Sequence, residues 1–435
     1  MNRYWVVQLI GKISMKLRKI PYITWLFYFN VALELIKTLF PKDHVVFTGK
    51  VSLISIFFFC YLVLFTNRWR IVSFKYYRAP FIFFGLFLLS AILSSLNQSI
   101  LLVLGQLLLH LKLPLLLFAC YQYKFPSFTL KNIESGLVVF LGANLVTCIY
   151  SVLSPASYQG VFEGAFVGTV VQGTQFSRAS GLFYHPGPMG VFVCFTAVIF
   201  FCRWLYDKKY MYALGFLFSS AALLLSGQRL ELSALVFILI SAWFLKRSPK
   251  LLITKYYFIG LIAFSFFSFT LIFIEGDLLS GSAMENNVRV ILYQSSITLA
   301  NYNFPFGNGL GSFGSSMSLG NPNAAYNQLG FGAYWWFSAG KSYLTDTYWA
   351  MIIGESGYIG FFFNLLFIFS LLFQRYLRVR FSPKPENLIS VMLLILTLPI
   401  SINAPVYTGS VIPLLLVAMY TGRHFKSKSM FNEVK

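Results

Sequence analysis

Apolar runs of about 20 residues recur along this 435-residue chain, and nothing constrains its fold more. A run of that length spans the hydrocarbon of a bilayer as a helix. In lipid, only a helix or a closed barrel pairs every backbone group internally. The pattern predicts twelve spans, at 22–40, 50–66, 80–96, 100–119, 133–153, 184–202, 210–226, 230–245, 256–274, 347–371, 388–403 and 406–421. Only 11% of residues are charged and 57% are hydrophobic; a soluble domain of this size carries about a quarter charged residues. The chain therefore reads as an all-α, polytopic integral membrane protein. Its expected organisation is nine spans over 1–274, a large external loop over 275–346, three spans over 347–421 and a basic tail over 422–435.

The net charge of +21 invites a nucleic-acid reading, but the placement of the charge argues for topology instead. With the N-terminus in the cytoplasm, 26 of the 34 Lys and Arg residues fall before the first span, in alternate connections (67–79, 120–132, 203–209, 246–255, 372–387) and after 421. This is the positive-inside pattern, and anionic lipid headgroups are its natural partners. The five cysteines lie in or at the edge of spans, so no disulfide framework is expected. The basic start runs into a first span without a small-residue cleavage site, so no cleaved leader is expected.

Eight basic residues remain outside those segments: Lys37, Lys42, Lys50, Lys112, Arg178, Arg229, Arg289 and Lys341. Only three are arginines. Arg178 precedes a span broken by Gly181, Pro186, Gly187 and Pro188; Arg229 occupies the tight turn "SGQRLE"; Arg289 lies in "NNVRVILYQSS", where the spacing of Val288, Ile291, Leu292, Ser295 and Leu299 predicts a short surface helix. Each alone reads equally well as a snorkelling or ion-paired residue at a helix end. Three together, on the face that the bias keeps poor in charge, point to a shared task. The guanidinium is a permanently charged fork of donors suited to bidentate phosphate binding.

Around them, Glu231 is an ionisable group within a span, and such groups are functional candidates by default; a plain ion pair with Arg229 is the alternative. His185 sits in the helix break, either as a substrate contact or as a hydrogen-bonded structural group. His110, Lys112, Glu34 and Lys37 are read as structural. Gly309, Gly311 and Gly314 match G-x-G-x-x-G, but no strand precedes them, and the match is read as chance. Neither an Asp-x-Asp pair nor a His/Cys/Asp cluster occurs, so no metal or other cofactor is expected. No Gly-x-Ser-x-Gly elbow occurs either.

The external Arg before a broken span, the "SGQR" turn, "RVILYQSSITLANYNFPFGNGLGSF" and "TDTYWAMIIGESGYIG" follow one another over Arg178 to Gly360. In order and spacing they resemble the O-antigen ligase and Wzy-type polymerase superfamily. The resemblance implies a donor glycan linked to undecaprenyl diphosphate at the outer face of the bacterial plasma membrane. It implies inverting, metal-free transfer, with Arg178, Arg229 and Arg289 holding the diphosphate. Ligases move the glycan to lipid A core, and polymerases move it onto a new lipid-linked repeat unit. Ligases usually carry a His-Asn pair about nine residues before the Glu-x-Gly that is here Glu355-Ser356-Gly357; this chain has Asp346-Thr347. The missing His favours the polymerase. Asp346 is then the first candidate for the base and Glu231 the second, with a helix cap as the alternative for Asp346. Tyr293, Tyr326 and Tyr334 are candidate sugar contacts. For Trp335 and Trp336 an interfacial belt is the stronger expectation. A chain-length regulator is left open as a partner, and a flippase of lipid-linked sugars is the competing class.

Overall fold

The computed structural model describes residues 21–40, 44–66, 77–123, 127–165, 177–247, 287–319, 324–338 and 343–422. It is all-helical, with no strand among the described residues. The principal helices are α1 (Tyr22–Leu39), α2 (His44–Thr66), α3 (Arg78–Ser94), α4 (Ile100–Gln122), α5 (Ser127–Leu153), α6 (Pro186–Asp207), α7 (Tyr210–Ser226), α8 (Arg229–Arg247), α9 (Val288–Tyr302), α10 (Tyr348–Phe381), α11 (Pro385–Asn403) and α12 (Val411–Gly422). Six of the described helices, α2, α4, α5, α6, α10 and α11, are long and apolar enough to cross a bilayer, and α3, α7 and α12 are apolar but shorter. This is the architecture of a polytopic membrane protein. The predicted span 256–274, the loop's first residues 275–286 and the tail from 423 lie outside the described residues.

Helices apolar on every side belong inside a bundle. All residues of α12 are buried, as is nearly all of α11, and α11 packs against α6, α8, α10 and α12. The peripheral helices α2 and α5 are mostly uncovered by protein. Small residues let the inner helices approach closely. A Cβ on Gly215 of α7 would lie 2.7 Å from the Phe200 ring of α6, and Thr196 and Ser219 share a hydrogen bond of 3.1 Å across the same seam.

The bundle has two polar ends. At the lower one, a buried network joins α5, α6, α7, α11 and α12. Arg203 donates to Glu134 at 2.7 Å and to Glu386 at 2.9 Å, while Tyr212 and Tyr420 donate to Glu134 at 3.2 and 2.6 Å. The upper end holds 177–185, the turn 227–228, the start of α10 and the connection 404–410. That last connection is recessed. α12 has only 12 residues, about 18 Å of helix against about 30 Å of hydrocarbon. Its lower end meets Cys120 and Tyr121 at the lower end of α4. Its upper end stops at the level of Lys112, whose ammonium donates to Thr408 O at 2.7 Å and Gly409 O at 3.0 Å.

Over 303–319 and 324–338 the chain packs down onto the helices, and its anchor is a break in α10. Gly357 has φ 67° and ψ −167°, a conformation essentially confined to glycine. The break leaves the carbonyls of Gly354 and Glu355 without their helical donors. Asn308 N–H takes the first at 2.8 Å and Gly309 N–H the second at 2.9 Å. Glu355 Oε1 accepts Gly311 N–H at 2.8 Å, and Ser95 Oγ accepts Leu310 N–H at 2.7 Å. The glycine spacing that matches a nucleotide fingerprint thus has a different physical reason: a Cβ on Gly309 would lie 2.6 Å from Gln98 and 2.9 Å from Ser94 O.

Candidate functional site

The strap 177–185 is built before any charge is placed on it. Ala179 N–H donates to Leu225 O at 2.9 Å, Leu182 N–H donates to Asn144 Oδ1 at 2.9 Å, and Thr38 Oγ1 donates to Leu182 O at 2.9 Å. The strap is therefore tied to α7, α5 and α1. On it, Arg178 Nε donates to Ser226 O at 3.0 Å, which fixes the guanidinium beside the α7–α8 turn. Burial pulls the Arg178 pKa down; Glu231 holds it up, and Arg289 and Arg229 push against it. Arg178 thus lies in the fields of both other arginines selected by charge placement, Arg229 and Arg289. Glu231, buried in the first turn of α8, answers to the same two cations, Arg289 and Arg178.

Arg289 arrives from α9. Asn287 caps that helix by accepting Arg289 N–H at 3.1 Å, and Tyr293 one turn on donates its hydroxyl to Ile402 O at 3.1 Å. The pair holds α9 against the upper end of α11. Arg289 Nε is buried and without a hydrogen-bond partner. Asp346, just before α10, lies in the field of Arg289; burial pushes its carboxyl up to about 6 while Arg289 pulls the other way.

Several expected roles change. Glu231 is not simply the partner of Arg229. The two are separated by two positions on one helix and face apart, Arg229 being exposed and Glu231 buried. Asp346 is not the cap of α10, since Thr347 takes that position and makes no side-chain cap bond. His185 is the cap of α6, its Nδ1 accepting Gly187 N–H at 3.0 Å, so that nitrogen carries no proton. Tyr326 is no stacking platform. It is fully buried, accepts Gly314 N–H at 2.8 Å, shares a hydrogen bond of 2.9 Å with Ser318 and stacks on Phe313. Trp336 is 1% exposed and belongs to the loop's own core rather than to an interfacial belt, and the half-buried Tyr334 stacks on it at 5.5 Å. Tyr293 is spent on the α9–α11 contact. The Trp335 side chain lies outside the described part.

One group at this end was read only as structural. Glu34 Oε1 accepts Lys37 Nζ at 2.7 Å and Ser410 Oγ at 3.4 Å. Lys37 Nζ stands 5.8 Å over the Tyr184 ring, and the charges of Lys37 and Glu34 both reach Lys112. Tyr184 lies in the fields of Glu34 and Asp346 at once, so this group and the arginine cluster adjoin. The signal was present in three ionisable residues, at 34, 37 and 112, inside otherwise apolar spans. A small cavity is lined by Phe84, His110, Pro114, Tyr348, Asn364 and Tyr407. Among the described residues no group of three or more His, Cys, Asp or Glu is placed to hold a metal ion. No protein-family model matches the chain, and no curated protein does.

Proposed function

We propose that this chain is a membrane glycosyltransferase that lengthens a polysaccharide, moving a glycan from undecaprenyl diphosphate onto a new lipid-linked repeat unit. In this reading the chain crosses the bacterial plasma membrane twelve times, both termini are cytoplasmic, and the upper end with its loop faces outward. The observation that carries the proposal is Arg178, bonded to Ser226 O beside the turn that carries Arg229 and lying in the fields of both Arg229 and Arg289. The first turns of α6, α8, α9 and α10 start at the same end, and helix N-termini add positive potential.

The chemistry asks for this. As the bond between the anomeric carbon and the phosphate oxygen breaks, its electron pair passes to the diphosphate. Preorganised donors aimed at that growing charge lower the barrier. The acceptor hydroxyl oxygen attacks the anomeric carbon from the opposite face, which inverts it, and its proton goes to a carboxylate. Asp346 suits that step. A base that titrates near 6 is mostly ionised at neutral pH yet still basic enough to take a proton. Glu231, in the fields of two arginines, is better placed as their counter-ion.

The test is alanine at each arginine in a strain that depends on this chain. Polymer is expected to shrink to single repeats with protein level unchanged, and wild-type chain lengths in all three variants would sink the clamp. A deletion strain separates the ligase reading: single repeats on the final acceptor mark a lost polymerase, whereas naked acceptor with accumulated lipid-linked polymer marks a lost ligase. Purified protein that lengthens lipid-linked oligosaccharide without a membrane gradient excludes a flippase.

A further inference from the structure

We infer that Glu34, with Lys37, Lys112, Tyr184 and the recessed 408–410 turn, forms a carbohydrate subsite beside the arginine cluster, holding the sugar that presents the acceptor hydroxyl. The inference rests on the glycosyl-transfer reading for its place in the reaction, but its binding content stands separately.

Glu34 is 5% exposed, and its two oxygens are used unequally. Oε1 takes Lys37 and Ser410, while Oε2 is buried with no hydrogen-bond partner. A buried acceptor left unmade is costly, and an ion pair alone does not explain it, because Lys37 is already satisfied through Oε1. What Oε2 lacks is a donor. A carboxylate oxygen accepts only, and a phosphodiester offers it no proton and repels it. The group that fits is a hydroxyl, and a sugar supplies several on one face.

The neighbours agree with that class. Lys112 donates two of its three N–H bonds to Thr408 O and Gly409 O, which keeps the turn in place and leaves one donor. Tyr184 adds an aromatic face. Thr347 Oγ1 and Asn403 Oδ1, at the upper ends of α10 and α11, are likewise buried without partners. Tyr184 lies in the fields of both Glu34 and Asp346, which puts the subsite on the side of the proposed base. The opposite substrate half, a diphosphate, belongs with the arginines.

The experiment uses the full chain in nanodiscs, titrated with two probes: undecaprenyl diphosphate, and lipid-linked oligosaccharide extracted from a strain lacking this protein. Glu34→Gln keeps the shape and removes the charge. It is expected to bind the oligosaccharide about tenfold more weakly, the size of one hydrogen bond to a charged group, and to bind undecaprenyl diphosphate as wild type does. Arg178→Ala is expected to weaken both probes, because both carry the diphosphate. Unchanged oligosaccharide binding in Glu34→Gln overturns the subsite. Equal loss of both probes does so too, because it marks a structural role. Ser410→Ala, which touches only the Glu34 edge, guards against a folding defect and is expected to show the same selectivity in weaker form. If wild type binds oligosaccharide in a Glu34-dependent way yet transfers nothing, the subsite stands and the transfer reading fails.

Discussion

Replacing Gly357 with alanine tests the loop anchor most directly. Alanine at φ 67° and ψ −167° costs about 1–3 kcal/mol in backbone strain. Its Cβ would also lie 2.3 Å from Phe306 C and 2.6 Å from Gly307 N, both main-chain atoms that no rotamer change can move. Relief requires the loop to back away from the break. That withdraws Asn308 and Gly309 from the Gly354 and Glu355 carbonyls and Gly311 from Glu355 Oε1. At about 1 kcal/mol for each of these hydrogen bonds, the total is about 4–6 kcal/mol. The expected result is local detachment. A Ser312→Cys reporter, fully buried in the docked loop, reads it through the rate of modification by a membrane-impermeant maleimide. The five native cysteines are buried and keep the background low. A shift of about 4 kcal/mol raises the labelling rate about a thousandfold. Gly85→Ala is the control, with nothing within 4 Å of its Cβ in mid-helix, and should leave the rate unchanged. Wild-type labelling in Gly357→Ala would refute the anchor.

Two further predictions concern charge. If Asp346 is the base, transfer falls as pH drops through about 6, and Asp346→Asn loses both the activity and that limb of the pH profile. The sign for stability is the reverse. A carboxyl whose folded pKa lies above its ordinary 3.8 weakens the fold above about 6 and ceases to do so below about 4. The wild-type melting point should therefore gain on that of Asp346→Asn as pH falls over this window. At the lower end, Glu134→Gln leaves Arg203 half-compensated in a buried site and should cost about 3 kcal/mol, read as a lower thermal midpoint. Glu386→Gln, at the more exposed edge, should cost less, and the opposite order would count against the network's centre being Glu134.

Hydropathy made the helices legible, because lipid punishes unpaired backbone wherever it occurs and so writes its demand into every span. Arg178, Arg229 and Arg289 stood out for a related reason: they lie outside the connections that gather most of the basic charge. Glu34 stood out as an acid within a span, but its contact with Ser410 was not legible, since the two lie 376 positions apart and no local period reports it. Tyr326 and Trp336 misled because an aromatic loop has the same composition whether its rings face sugar, lipid or one another. Glu355 entered the sequence reading as part of a Glu-x-Gly motif, and only the helix break beside it shows that it receives a loop amide.

The anchor at that break has a consequence for how such a chain can change. Two of its main contacts run from loop amide to helix carbonyl, so they do not depend on which side chains the loop carries. Once the glycines that allow the approach and the buried rings of Phe313, Tyr326 and Trp336 are kept, the exposed loop residues are free to drift. New loop sequences can be tried without detaching the lid from the barrel of helices beneath it. The outer face of the loop can then diversify while the backbone anchor at Gly357 stays fixed.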